Sequence, residues 1–554
     1  MHILDLCGSW EMSCGDGRSF CAAVPGTVLG TLLENGAIPD PFDGINEAGA
    51  CAETRKTWRF ERSFEVTEAE LGPRCADLVF EGLDTLAEIQ VNGKTAARTD
   101  NMHRTWRIPA GEILKRGENR ISVVFSPAMQ AVEKAAEENP DITWEGGSEL
   151  RWTGAIRKAH YMFGWDWGPR LPDAGIWRKC RLECYDSRIE DLQIRQRHRP
   201  GEAELEILAR TGAERIRLTL LDPDGKTAAE AETSGGWAIL TVAQPRLWWP
   251  NGLGEQPLYT LKAAAVSGGK TEDERELRLG LRTMTVSREK DEWGESFALS
   301  CNGIPFFSMG ADYIPEDSLL ARTSREKTAK LLKDCRDCHF NTIRVWGGGV
   351  YPDDCFYDLC DELGLVVWQD LMFACNTYRM TAEFRENIIR EAEDNLRRIR
   401  HHASLGLICG NNEMETAWMD WEGVRNQPES LKKDYLEQFE NVLKQVCGKE
   451  APDLFYWPSS PSSGGGFDKP NDLDRGDVHD WSVWHGRRPF SDFSRRFPRF
   501  CSEFGFESFP SMETLKTFIH DGRDMNPFSR VMESHQKCHD GNGTMLYYLS
   551  QTLR

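Results

Sequence analysis

The chain has 554 residues, 40% hydrophobic and 28% charged, which fits ordinary soluble globular material. Its 67 basic residues against 88 acidic ones give a formal net charge of −21, a field that repels phosphate backbones and argues against nucleic acid as a partner. No stretch approaches the roughly 18 uninterrupted apolar residues of a membrane helix. The acidic start Met1-His2-Ile3-Leu4-Asp5 lacks the basic and apolar beginning of a secretory signal, so no membrane partner and a cytoplasmic location are expected.

Residues 1–186 read as all-β. Short apolar runs recur at 57–60, 78–80, 87–91 and 121–125, and Asn92-Gly93 marks a tight hairpin after one of them. Helical periodicity is weak there, and a sandwich is expected. Residues 187–285 continue in the same grammar. The runs 203–208 and 215–220 alternate apolar with polar, as half-buried antiparallel strands do, and Asp222-Pro223-Asp224-Gly225 is a turn. The size of this stretch suits an immunoglobulin-like sandwich.

From residue 286 short buried runs alternate with helical stretches. Strands are expected at 305–310, 341–346, 365–369, 406–410, 454–458, 477–481 and 499–504, with helices at 323–339, 382–402 and 428–447. Such alternation predicts βα units and a parallel sheet, here a (β/α)8 barrel over 286–554 whose eighth strand is missing. The Ser- and Gly-rich stretch 459–466 follows the fifth strand and is expected as a loop on the catalytic face. The 17 cysteines are an odd number scattered through the chain, which fits reduced thiols better than a disulfide framework. Cys335 and Cys338 have C-x-x-C spacing within one predicted helix, but no second pair follows at zinc-ribbon spacing, so core filling is the expected role.

Active sites of such barrels lie at the C-terminal ends of the strands. Two glutamates stand there: Glu413 closes the fourth predicted strand and Glu503 the seventh. These strands face each other across an eight-stranded barrel. Two carboxyls roughly 5–5.5 Å apart are what retaining glycoside hydrolysis needs, one as nucleophile and one as acid/base. Like-charge repulsion and burial would keep the acid protonated. Position alone leaves ordinary salt bridges as an alternative for both. The 19 tryptophans suit sugar stacking or sandwich and barrel cores equally.

Gly410-Asn411-Asn412-Glu413 and Ser502-Glu503-Phe504-Gly505-Phe506 resemble the acid/base and nucleophile motifs of glycoside hydrolase family 2. Phe163-Gly164-Trp165-Asp166-Trp167-Gly168-Pro169, Arg344-Val345-Trp346-Gly347-Gly348-Gly349, Trp368-Gln369-Asp370, Gly476-Asp477-Val478-His479 and Leu247-Trp248-Trp249-Pro250-Asn251-Gly252 resemble its β-mannosidase branch, and the matches run in order from Val24 to Pro510. The resemblance implies a jelly roll, an immunoglobulin-like domain and a barrel. It implies retaining hydrolysis of terminal non-reducing β-D-mannose, a carbohydrate partner, and neither a metal nor an organic cofactor. Glu413 is then the acid/base and Glu503 the nucleophile. Asn412 would bond the sugar 2-hydroxyl, Arg344 would stand beside Glu503, Trp346 and Trp421 would wall the pocket, and Asp166 would reach in from the first domain. His479 and Trp484 are further candidates for substrate contact. Other activities of the family (β-galactosidase, β-glucuronidase, exo-glucosaminidase) and a sugar-binding protein without turnover remain as alternatives.

The sequence departs from the family at several points. Asp312-Tyr313 stands where Asn-Trp is usual, Glu507 where a glutamine is common, and Asp480 where a tyrosine is common. Family members also continue well past the nucleophile, with an eighth strand that carries a pocket tryptophan. The apolar tail segment Met545-Leu546-Tyr547-Tyr548-Leu549 reads as a helix rather than that strand.

Overall fold

Alternating apolar residues at the start of the chain build two facing antiparallel sheets. One orders its six strands as Ser19–Val24, Gly8–Cys14, Trp58–Val66, Gly117–Phe125, Leu86–Val91 and Lys94–Asp100; the other has four, His2–Asp5, Cys180–Tyr185, Cys75–Phe80 and Trp106–Pro109. Trp58, Phe60, Phe80, Ile89, Val123, Phe125 and Leu182 fill the space between them. Asn92 and Gly93 have φ of 52° and 78°, the paired positive values of the turn that suits a right-twisted hairpin, and Val91 pairs with Lys94 across it. This computed structural model describes residues 1–144, 146 and 150–553.

Four α-helices among the described residues here were not expected from the sequence, and two of them show how they form. Thr27 caps Val28–Glu34 by accepting from the Gly30 N–H, and Ala128–Glu138 follows Pro127. Met129, Val132 and Ala136 are buried on one face of this last helix, a spacing too sparse to outweigh its charged residues.

A second pair of sheets follows, of three strands and four, around Leu205, Ile207, Leu218, Leu240 and Leu261. In the Asp222–Gly225 turn the Gly225 N–H donates to Asp222 O.

The last region is parallel. Gly310–Tyr313, Thr342–Val345, Val366–Asp370, Leu405–Cys409 and Phe455–Trp457 form one five-stranded sheet, and Val478–Asp480 pairs separately with Cys501–Phe504. Six of the seven expected strands stand where expected, and the seven parallel strands form two sheets rather than a closed barrel. The break after the fifth strand has a physical cause. Asp477 accepts from Trp457 Nε1 at 2.7 Å and from the Ser462 N–H at 2.9 Å, so side-chain bonds replace the ladder. The first strand is shifted from its expected place, because Ile304–Pro305 instead pairs antiparallel with Ala298–Cys301. Among the described residues the first and seventh strands each keep one unpaired edge, and Phe307 and Phe504 beside them are 83% and 64% exposed.

Helices Arg325–Asp337 and Ala382–Ile399 match expectation, and the stretch expected at 428–447 is helical from Glu429 to Glu450 with a wider π segment inside it. Asp354–Leu363 is an added helix between the second and third strands. The tail forms helix Gly541–Thr552, whose Tyr548 donates to Val483 O. Cys335 packs against the core, Cys338 is exposed, and every cysteine is a free thiol. No helix among the described residues is long and apolar enough to cross a membrane.

The first region docks on the parallel one through a buried ion pair, Arg157 with Glu391 at 2.6 Å. Arg157 also donates to Met372 O, and Trp152 Nε1 to Thr377 O. This docking brings Trp144, Trp165, Asp166 and Trp167 to the cavity over the ends of the strands.

Candidate active site

The floor of the site begins at the second strand. Ile343 and Val345 pack into the apolar core, so strand alternation turns Arg344 to the opposite face. There its guanidinium donates to Asp370 at 2.8 Å, Asp312 at 3.1 Å, Glu503 at 2.5 Å and Asn412 Oδ1 at 2.7 Å. Burial opposes the arginine charge, and the three carboxylates more than offset it, raising its proton affinity well above the ordinary value. Burial pushes Asp370 up to about 6 against the pull of Arg344.

Glu413 enters from the fourth strand. A side chain at Gly410 would meet Pro458 O at 2.3 Å, so glycine alone lets the turn lie this close to the fifth strand. Asn411 fastens the turn by donating to Pro458 O and accepting from the Met414 N–H, both at 3.0 Å. Glu413 has φ of 63°, a region uncommon outside glycine, and its side chain lines a cavity of about 940 Å³. Burial raises its carboxyl above the ordinary value, while a bond from Cys375 and the charges of Arg344 and His485 pull the other way. Burial, not like-charge repulsion, is thus the leading cause.

His479 joins the two glutamates. Its Nδ1 lies 2.8 Å from Glu413 Oε1 and 3.3 Å from Glu503 Oε2. Its Nε2 lies 3.0 Å from Ser460 Oγ, which itself donates to Asp477 at 2.6 Å. The serine has one hydrogen and gives it to Asp477, so Nε2–H donates to Ser460 and the Nδ1 lone pair faces Glu413. Burial holds the imidazole down to about 4, which keeps it neutral. One donor atom from each of Glu413, His479 and Glu503 lies within 4.8 Å of the others. That spacing suits a divalent ion sterically, yet these atoms bond each other and Arg344.

The walls are aromatic. Trp346 meets Trp165 at 4.8 Å and Trp167 at 5.6 Å, both edge-on, and a side chain at Gly348 would strike its ring at 1.9 Å. Trp421 packs on Trp144 across the cavity, at 5.7 Å. Trp484 packs on Phe506 at 4.9 Å.

All nine residues singled out in the sequence converge here. Glu413, Glu503, Asp166, Trp346, Asn412, Trp421, His479 and Trp484 line the cavity, and Arg344 lies behind Glu503. His479 is buried, and both of its ring nitrogens are engaged by the protein. Asp480 and Glu507 also line the cavity; Asp480 pairs with Arg496, and burial raises Glu507.

Sequence reasoning missed Trp481, whose Nε1 donates to Glu503 Oε2 at 3.2 Å. Its position two residues after His479 was the available signal, since i and i+2 share a strand face. It also gave no role to Asp312 or Asp370, both quoted in motifs, and it missed Cys375, for which no sequence signal existed.

The family described as glycosyl hydrolase 2 galactose-binding domain-like matches residues 10–178, and glycosyl hydrolases family 2 matches residues 187–282. Beta-mannosidase B of Emericella nidulans is 35% identical over 551 residues, covering 96% of this chain and 65% of that protein. The chain therefore spans slightly less than two thirds of the curated relatives it matches. The crystal structure of a beta-D-mannosidase from Dictyoglomus thermophilum superposes with a TM-score of 0.92 at 36% identity, covering all of this chain and 69% of that one. An exo-chitosanase from Amycolatopsis orientalis, at 18% identity and a TM-score of 0.68 over 95% of this chain and 61% of that one, shares the fold.

Proposed function

The chain belongs to glycoside hydrolase family 2, and from that premise we propose that it is a retaining exo-β-mannosidase acting on terminal non-reducing β-D-mannose. On this reading residues 1–186 are the jelly roll, 187–285 the immunoglobulin-like domain, and 286–554 most of a (β/α)8 barrel. One observation carries the proposal. Carboxylate oxygens of Glu413 and Glu503 lie within 4.8 Å of each other, close to the separation of retaining enzymes and well short of the roughly 6.5–9.5 Å that inverting ones need for a water.

The two glutamates divide the work by environment. Glu503 bonds the Arg344 guanidinium and the Trp481 indole N–H, which orient its carboxyl group for attack on the anomeric carbon. Glu413, raised by burial, protonates the departing glycosidic oxygen. In the resting site its proton sits on Oε1, the oxygen that faces the His479 lone pair. Once the glycosyl ester forms on Glu503, Glu413 takes a proton from water, the water attacks the anomeric carbon, and Glu503 is released. Asn412 gives one amide hydrogen to Cys375 and accepts from Arg344. It also hydrogen-bonds Glu413, and from this place beside the acid/base it meets the sugar 2-hydroxyl. Asp166, at the cavity wall formed by the first region, accepts from hydroxyls at the far end of the sugar, and Trp346 and Trp421 cover its faces.

Release of nitrophenol from a panel of aryl glycosides tests this. The β-D-mannoside should be the fastest, and Glu503→Ala or Glu413→Ala should abolish its turnover. A faster β-galactoside, β-glucuronide or β-glucosaminide would replace mannose as the substrate. A second reading, sugar binding without turnover, draws on the unpaired edges of the first and seventh strands. Mannose binding by a folded wild type that cleaves no aryl glycoside would favour it.

A further inference from the structure

We propose that Cys375 is a positioning residue for the acid/base, its thiol donating to Glu413 Oε2 and holding that oxygen as the one that carries negative charge. This rests on the reading of Glu413 as the acid/base. The geometry is specific. Cys375 Sγ lies 3.3 Å from Glu413 Oε2 and accepts from Asn412 Nδ2, also at 3.3 Å. Since Asn412 supplies a hydrogen to the sulfur, the thiol's own hydrogen is free for the carboxylate.

The backbone holds this arrangement at a cost. Cys375 has φ of 45°, a left-handed conformation that a side chain adopts only when its surroundings impose it. It is pinned from both sides: its N–H donates to Asn412 O at 3.0 Å, and its carbonyl accepts from Trp144 Nε1 at 2.7 Å. A glycine would relieve the strain and lose the thiol. The residue is buried yet borders the cavity. Burial, with Glu413 beside it, lifts its thiol well above the usual range, so it stays a protonated donor rather than a reactive thiolate.

The consequence is an acid/base with two unlike oxygens. Oε1 faces a lone pair, that of His479 Nδ1, and favours the proton; Oε2 faces a donor and favours the charge. The chain Glu503–Arg344–Asn412–Cys375–Glu413 also links the two carboxylates through consecutive hydrogen bonds. The other charged or titratable groups near Glu413 are Glu503, His485 and Asp166.

The test is the pH profile of kcat/KM for an aryl β-D-mannoside, whose basic limb reports the free enzyme's acid. A donor to the carboxylate lowers its pKa. Cys375→Ala should therefore move the basic limb up by about half a pH unit or more. Cys375→Ser keeps a donor and should return the limb to the wild-type position or below it. A limb that stays put in Cys375→Ala, or that moves up equally in both variants, overturns the proposal. If the alanine variant does not fold, the serine variant decides alone, and an upward shift there is contrary. The Glu413 carboxyl can also be titrated by 13C NMR, assigned with Glu413→Gln, without any turnover. A wild type that cleaves no glycoside sinks the mannosidase reading, whereas a Glu413 titration unmoved by Cys375→Ala sinks this one.

Discussion

The floor and the rim of the cavity are held by different forces. On the floor, Arg344 binds three carboxylates and Asn412 at close range, with Arg344 and Asp370 buried. At the rim, Trp165, Trp167 and Trp346 hold each other by ring contact, and Trp167 is 38% exposed. A buried charged network has one low-energy arrangement, because each unpaired member is costly. Edge-on rings give area with less geometric constraint. Substitutions in the two places should therefore fail in different ways.

The floor should break hardest. Arg344→Met removes the shared counter-charge of Asp312, Asp370 and Glu503. Taking one partner from a buried ion network costs about 3–5 kcal/mol of stability, and denaturant unfolding should show a loss of that order. Turnover by whatever stays folded should fall by roughly a hundredfold or more, in kcat rather than KM. Unchanged stability would show that the carboxylates are protonated in the native state.

The rim should fail more gently. Asp166→Asn leaves the floor intact but weakens the hydroxyl contacts, so kcat/KM for the mannoside should drop by about ten- to a hundredfold. The same substitution should leave the folded stability nearly unchanged. A large loss of stability would mean that Asp166 supports the loop rather than the sugar.

The subtlest contrast is with pH. Burial holds His479 down to about 4 and His160 to about 3, and it also depresses His103 and His401. A histidine whose folded value is depressed stabilises the protein above its unfolded value of about 6.5. That contribution is lost as the pH falls towards the folded value. Thermal midpoints should therefore decline from pH 6.5 towards pH 4, and more shallowly in His479→Gln. An identical slope in the variant would place the titrating group elsewhere.

Much of this contrast was legible in the sequence. Glu413 and Glu503 stood out because strand ends can be located from buried runs, and because the motifs around them fix their register. Arg344 and Trp346 followed from one motif on the second strand. The links between elements were not legible. Asp312 reaches Arg344 only because the first strand sits at Gly310–Tyr313, a shift that local propensity could not show. Cys375 acts through a left-handed backbone fixed by Asn412 and Trp144, residues distant in the chain. His479 was expected to touch substrate, and only its two engaged ring nitrogens show that it faces the glutamates. The two-sheet break likewise depends on Asp477 side-chain bonds that strand patterning does not encode.

The most direct measurement is mass spectrometry of the protein after incubation with an activated 2-deoxy-2-fluoro-β-D-mannoside, a substrate that forms the glycosyl ester quickly and loses it slowly. The account predicts a single added 2-fluoromannosyl group, on the peptide that carries Glu503, with loss of activity in step. An adduct on another residue, or continued turnover of mannosides with no adduct on Glu503, would contradict it.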